Sequence, residues 1–332
     1  QSLFKYAMEI DQTIEDYWLN PNPNIYITDE FIPEHKLDEV TSLLFRLFEK
    51  IDDTKMLKLT GDNIDELINH SSEKDWKFKY IAYITVAEIL SFVKELSSIE
   101  KLINMILIDL NNPNIKIQYA SLYCVAELSD QHHPDFQNDY HAKVIPVIIK
   151  ILSNSTCLRT KLECCDALDC FVEHITNDTA ALYMKDSLDS LFQIFIKDEN
   201  ECPPALKEGI LDVMQEFINA SEEEFKKYSE KCFEILLKYL SDILTKNINK
   251  NLIGPLLESI SIIGPLCPEF FKKYLETIVN TLIQINNNLS SFKENIANYL
   301  LSTWEKIIPI LKQENKDKIK NVSDPHNING MS

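Results

Sequence analysis

The chain of 332 residues is 45% hydrophobic and 26% charged, enough apolar material to bury a core and too much for disorder. It carries 52 acidic against 33 basic residues, a net charge of −19, which repels nucleic-acid phosphates and attracts basic partners. Its 5 glycines include no pair spaced as a phosphate-cradling loop, and arginine stands only at Arg46 and Arg159, so nucleotide cofactors and arginine clamps are disfavoured.

The length fits two or three compact domains or one elongated repeat array. The opening Gln1-Ser2-Leu3-Phe4 has neither an initiator Met nor a signal-peptide pattern, so a piece of a longer protein is expected. No run of about 18 apolar residues occurs, and no membrane partner is expected. The eight cysteines fall mostly at apolar positions of helical patterns, as suits a reduced, intracellular compartment.

Helical periodicity runs from end to end, with no sustained alternation of period two. In chain order, polar or proline-bearing breaks fall at Asn20 to Asn24, Ser71 to Asp75, Asn111 to Asn114 and His132 to Pro134. Others follow at Ser153 to Thr156, Asp198 to Pro204 and Thr245 to Lys250. Short breaks between helices predict antiparallel hairpins. One class of helix opens at Asp75-Trp76-Lys77-Phe78-Lys79, at Asn114 to Ala120 and at Cys157 to Lys161, with further members near Pro203, Asn249 and Leu289. The other opens on acid and aromatic: Pro134-Asp135-Phe136, Glu223-Glu224-Phe225 and Pro268-Glu269-Phe270-Phe271. The spacing of roughly 40 to 48 residues is that of HEAT or armadillo-type units. Pro146 is expected to kink its helix, and Thr60-Gly61-Asp62 to shorten or break another.

The expected fold is all-α: an α-α superhelix of about six HEAT-type repeats over residues 1–312, stacked into a rod of about 60 Å. Residues 313–332 turn polar and read as a tail or a truncated next repeat.

The helix from Leu158 to Ile175 is the most informative. Leu158, Leu162, Cys165, Leu168, Val172 and Ile175 form its expected buried stripe. Opposite them stand Glu163, Asp166, Asp169 and Glu173, whose like charges cost roughly 0.2–0.5 kcal/mol per pair at helical spacing. Stability does not explain such a ridge; it is a candidate lysine-binding surface, or else a solvated helix face. Neighbouring helices of the same class carry further acids at Glu88, Glu127, Asp130, Glu208, Asp212, Glu216 and Glu258. Trp18, Trp76 and Trp304 could grip lysine stems or simply pack between repeats.

Catalysis finds little footing. His132-His133 lie in a loop without metal-ligand spacing, and Cys164 and Cys165 point about 100° apart. Cys170 falls on a polar flank, where a thiol could react, without an adjacent base. No enzyme activity and no metal are expected.

The Asp75-Trp76-Lys77-Phe78-Lys79 opening resembles the aspartate-tryptophan-basic-aromatic helix start of the importin-β superfamily. Lys116-Ile117-Gln118-Tyr119-Ala120 through Phe136, Tyr140, His141, Val144 and Ile145 continues the likeness. Glu258 to Gly264 and Ser302-Thr303-Trp304 are similar to the importin five (karyopherin beta three) branch. Two departures stand out: glutamine at Gln118, where the family tends to carry arginine, and a mild Asn20-Pro21-Asn22-Pro23-Asn24 where an acidic loop is expected.

The resemblance implies the middle of a nuclear import receptor, working between cytoplasm and nucleus. Its inner surface, lined in the family by the second helices and so here by Glu88, Glu127, Asp130, Glu208, Asp212, Glu216 and Glu258, would bind cargo bearing lysine-rich nuclear localisation signals. RanGTP would release the cargo by changing the superhelix pitch. The family's main Ran contact lies in N-terminal repeats outside this chain, and docking of phenylalanine-glycine nucleoporins is left open. The rival reading is a HEAT scaffold that holds permanent partners, of the phosphatase-subunit or coat-complex type.

Overall fold

The computed structural model describes residues 42–43, 45–47, 49–50, 53–70, 76–288 and 296–323. Trp18, the Asn20 to Asn24 break, Asp75 and Leu289 lie outside them. The described residues are helical with short turns and contain no strand. They divide into two compact units, one up to Ser221 and one from Glu222.

The first unit contains four helix pairs. They are α1 (Asp53–His70) with α2 (Trp76–Ile89), α3 (Glu100–Asp109) with α4 (Ile115–Gln131), α5 (Asp135–Asn154) with α6 (Leu158–Glu173), and α7 (Asn177–Phe195) with α8 (Pro204–Ala220). Each even-numbered helix packs on its own partner, and α2 packs on α4, α4 on α6 and α6 on α8. The core lies between these layers, where Tyr80, Tyr83, Phe136, Phe171, Phe195 and Phe217 are fully buried. Each such side chain contributes roughly 1.5–3 kcal/mol relative to exposure.

The turns form where side chains can replace helix hydrogen bonds. Asn114 caps α4 by accepting from the Lys116 N–H at 3.0 Å, and Thr176 caps α7 by accepting from Thr179 N–H at 3.2 Å. Such caps are worth about 1 kcal/mol each. The fourth residue of each even-numbered helix here is Lys79, Gln118, Lys161 or Lys207. Gln118 Nε2 donates to the Leu110 carbonyl at 2.8 Å, closing the end of α3. Lys207 Nζ donates to the carbonyls of Phe195 and, at 3.0 Å, Lys197 at the end of α7. Lys79 instead pairs with Asp109 at 2.8 Å. The glutamine that departs from the family pattern therefore does the same work as Lys207: it satisfies a carbonyl that a helix end leaves open.

The second unit opens with a single turn, Glu222–Phe225, followed by α9 (Ser229–Lys246), α10 (Ile253–Leu266), α11 (Pro268–Asn287) and α12 (Ile296–Ser323). Here α9 packs on α10, α11 on α12, and α10 on α12. Asn247 closes α9 in the left-handed region at φ 57°, which asparagine tolerates well. The acid-aromatic openings each deliver a phenylalanine to the core: Phe136 in the first unit, Phe225 and Phe271 in the second.

Several expectations need correction. α1 runs unbroken through Thr60-Gly61-Asp62, since one glycine costs a helix only about 1 kcal/mol and the 18-residue run outweighs it. The interval Leu90 to Ile99, unmarked by proline or glycine, contains two 3-10 turns that end α2 early and lead into α3. α12 itself continues past Lys312 to Ser323.

Candidate functional site

The middle helices of the first unit, α4 and α6, are covered on three sides and open on the fourth. α6 shows this best, since α4 and α8 flank it and α5 backs it. Arg159, Thr160, Lys161, Glu163, Cys164, Cys165, Ala167, Leu168, Phe171 and Val172 are all buried. What remains open is a strip of Leu162, Asp166, Asp169, Cys170 and Glu173. Three of the four expected ridge acids stand on that strip. Glu163 does not: it is 6% exposed and turned towards α4. Its burial follows from the width of the covered arc. A stripe of six apolar positions describes a helix covered on one side, and α6 has neighbours on three. Leu158 and Leu162, expected inside, are half-exposed for the complementary reason.

Glu163 sits in a polar seam between α4 and α6. The Tyr119 hydroxyl donates to it, and the Arg159 guanidinium lies 4.5 Å from the centroid of the Tyr119 ring. Burial and then Asp166 push the Glu163 carboxyl up to about 8, against the opposing pull of Tyr119 and Arg159. Much of it is therefore protonated at neutral pH.

On α4 the open strip includes Tyr119, Tyr123, Glu127 and Asp130. The Tyr123 hydroxyl donates to Glu88 Oε1 of α2 at 3.2 Å. Burial, then Glu88 and Asp130, push Glu127 up to about 7. On α8 the strip holds Glu208, Asp212, Glu216 and Asn219. Burial raises Glu216, as do Asp169 and Glu173 across on α6, while Asn219 opposes by donating at 3.3 Å. Burial and Glu173 raise Asp169, and burial raises Glu208.

The structure thus brings Glu88, Glu127 and Asp130 together, joins Asp169, Glu173 and Glu216, and sets Asp166 between the two groups. Asp212 is exposed on α8. Glu258 belongs to the second unit, exposed on α10. Half-buried carboxylates that raise one another towards protonation gain most from an arriving cation.

Cys170 stands amid Asp169, Asp130, Asp166 and Glu127, and burial with these charges pushes its thiol up to about 12. It is a neutral group at pH 7, not the reactive thiol its polar flank suggested. Trp76 is engaged within the fold, with Lys116 Nζ 4.1 Å from the ring centroid, and Trp304 is half-buried. Among the described residues no group of three His, Cys, Asp or Glu is arranged to hold a metal, and no helix is long and apolar enough to cross a membrane.

Tyr119, Tyr123 and Arg159 organise these acids, and sequence reasoning did not assign them that role. A signal was there: Tyr119, Tyr123 and Glu127 recur every fourth residue, which puts them on one helix face.

No family model matches the chain. Importin subunit beta-3 of Saccharomyces cerevisiae is 20% identical over 290 residues, which is 85% of this chain and 26% of that protein. The crystal structure of Kap121p bound to Pho4p superposes with a TM-score of 0.77 at 19% identity, covering 98% of this chain and 30% of that one. Kap121p bound to RanGTP gives 0.76 at 19% identity, with the same two shares. The chain therefore spans less than a third of the relatives it matches. In sequence it resembles the importin-β superfamily, in the branch of importin subunit beta-3, and its fold is that family's all-α HEAT-repeat solenoid.

Proposed function

We propose that this chain is part of a nuclear transport receptor whose open acidic strip in the first unit binds lysine-rich segments of protein cargo. The observation that carries the reading is the grouping of Glu127, Asp130, Asp166, Asp169, Glu173 and Glu216 along consecutive helices. Burial and then the neighbouring acids raise Glu127, Asp169 and Glu216, so a lysine ammonium among them relieves repulsion as well as forming its own contacts. Asp212 and Glu208 would extend the strip on α8, and Glu88 on α2. Glu163 supports the seam behind it and does not meet cargo. Glu258 would serve a separate contact on the second unit.

The relatives lend support, since Kap121p has been solved with Pho4p, with Ste12p and with RanGTP. On this reading the protein carries cargo between cytoplasm and nucleus and catalyses nothing, and RanGTP releases the cargo by changing the pitch of the repeats. Small rotations at each repeat contact add up in such an array.

The test is fluorescence anisotropy of a labelled lysine-rich peptide against the chain, at low and at physiological salt. The reading expects saturable binding that weakens with salt, because open charge pairs are screened within about 8–10 Å. Asp166→Lys, Asp169→Lys and Glu173→Lys together should abolish it. Absence of binding by a folded chain at either salt would reject the strip as a cargo site and favour the scaffold.

A further inference from the structure

Glu163 is too buried to meet cargo, yet it stands directly behind the strip. One turn further along α6 is Asp166, exposed on the open side. Across the contact with α4 is Tyr119, a half-exposed member of that helix's own strip, whose hydroxyl donates to Glu163. Arg159, one turn before Glu163 and 4% exposed, lies 4.5 Å from the centroid of the Tyr119 ring. One buried carboxyl thus sits between strip residues of two helices, Asp166 of its own and Tyr119 of the one before.

We propose that Glu163 is a positioning residue for the strip: a cation seated at Asp166 draws the proton off Glu163, and the carboxylate left behind holds α4 to α6 through Tyr119 and Arg159. The inference rests on the strip's being a lysine site, and adds the device by which an occupied helix fixes its neighbour.

The forces on Glu163 are opposed. Burial, then the like charge of Asp166, favours the protonated acid, and Glu127 of α4 adds a smaller repulsion. The Tyr119 hydroxyl and the Arg159 guanidinium favour the carboxylate. A lysine ammonium beside Asp166 cancels that repulsion and leaves Tyr119 and Arg159 in place, so the balance moves to the carboxylate and the proton goes to solvent. A carboxylate accepts a stronger hydrogen bond than its acid does, so Tyr119 is then held more firmly. The other helices packed on α6 direct their charges elsewhere. Asp212 of α8 acts on Cys165, and Glu216 of α8 meets Asp169 and Glu173. On α5, Asp135, Asp139, Lys143 and Lys150 are exposed, and His141 is bonded to Tyr183 of α7.

The sign follows from reciprocity: if binding expels the proton, losing the proton strengthens binding. The part of the affinity that depends on Glu163 is therefore absent well below pH 8 and gained as pH rises through it.

The experiment titrates a labelled lysine-rich peptide against the chain and its Glu163→Gln variant from pH 6 to pH 9, by fluorescence anisotropy. The glutamine keeps the shape of the acid but cannot ionise, and Glu127 titrates in both proteins, so the ratio of affinities isolates Glu163. The two should bind within about twofold at pH 6, and the wild type about tenfold more tightly at pH 9, which corresponds to one unit of coupling. Tyr119→Phe, which removes the donor, should move the gain to higher pH. A ratio that stays flat with pH while peptide binds would overturn this inference alone; no binding at any pH would overturn the reading of the strip with it. Should Glu163→Gln not fold, the infrared band of protonated carboxyls decides in Glu127→Gln. It must shrink when saturating peptide is added at pH 7.5, and an unchanged band refutes the proposal.

Discussion

The even-numbered helices of the two units use the same architecture for different ends. In the first unit α4, α6 and α8 present a strip rich in carboxylates, several of them half-buried and mutually repelling. In the second, α10 has a single charged residue, Glu258, and its serines bond to its own backbone, Ser259 to Pro255 and Ser261 to Glu258. Lys306 of α12 stands 3.1 Å from Ser261, adding a positive charge there. α10 is instead given over to close packing, with Gly254 against the Tyr299 ring and Gly264 against Phe271. A repeat fixes where helices go but leaves the open face of each free to specialise. That freedom is how a function can concentrate in a few units of a uniform array.

The largest expected effect tests this contrast directly. Asp166→Lys, Asp169→Lys and Glu173→Lys together should weaken lysine-rich peptide binding by about 100-fold or more, as expected for several lost charge contacts. Glu258→Lys should change it less than about threefold, consistent with one exposed charge. Equal losses from both would break the comparison between the units.

Next in size is Glu163→Gln. The folded state raises this carboxyl to about 8, so the folded chain holds a proton that the unfolded chain releases above about 4.5. Wild-type stability should therefore fall as pH rises from about 4.5 to 8, and level off beyond. Relative to Glu163→Gln, the wild type should lose about 2–4 kcal/mol between pH 5 and 9 in denaturant unfolding. A difference that stays constant with pH would place Glu163 back in solvent.

Packing changes come last and should sharpen the contrast from the other side. At Gly264 an added Cβ would lie 2.5 Å from the buried Phe271 ring, so Gly264→Ala should cost about 1–3 kcal/mol. Gly209→Ala on α8 meets Cys165 Cβ at 3.0 Å, and the helix gains about 1 kcal/mol from losing a glycine. Its net effect should lie within about 1 kcal/mol of zero, read from the same unfolding curves.

Most of the fold was legible because a 3.6-residue period and polar punctuation are local properties. The Asn114 cap, the Thr245 to Lys250 break and the phenylalanines of the acid-aromatic openings could all be read from a few adjacent residues. Leu90 to Ile99 could not, because its residues are ordinary for a helix and tertiary packing ends α2 there. The candidate site was legible in composition but not in depth. Glu163 and Asp166 look alike on a helical wheel, three positions apart, yet one is buried against Tyr119 and the other faces solvent. Only the neighbour on α4 distinguishes them. For the same reason the raised carboxyl of Glu127 depends on burial by its neighbours and then on Glu88, which lies on another helix of the array.

Glu127 and Glu163 have a further consequence for how this surface meets a partner. A formal charge of −19 counts both as ionised, yet at pH 7 each shares its site with a proton. The face behaves as a charge regulator: it gives up protons as positive charge approaches and takes them back as that charge leaves. Heat measured on mixing with a basic ligand would then include the ionisation heat of the buffer, and would differ between phosphate and Tris. The number of protons released per complex would report how far the ligand's charge is felt at Glu127 on the strip and at Glu163 in the seam behind it.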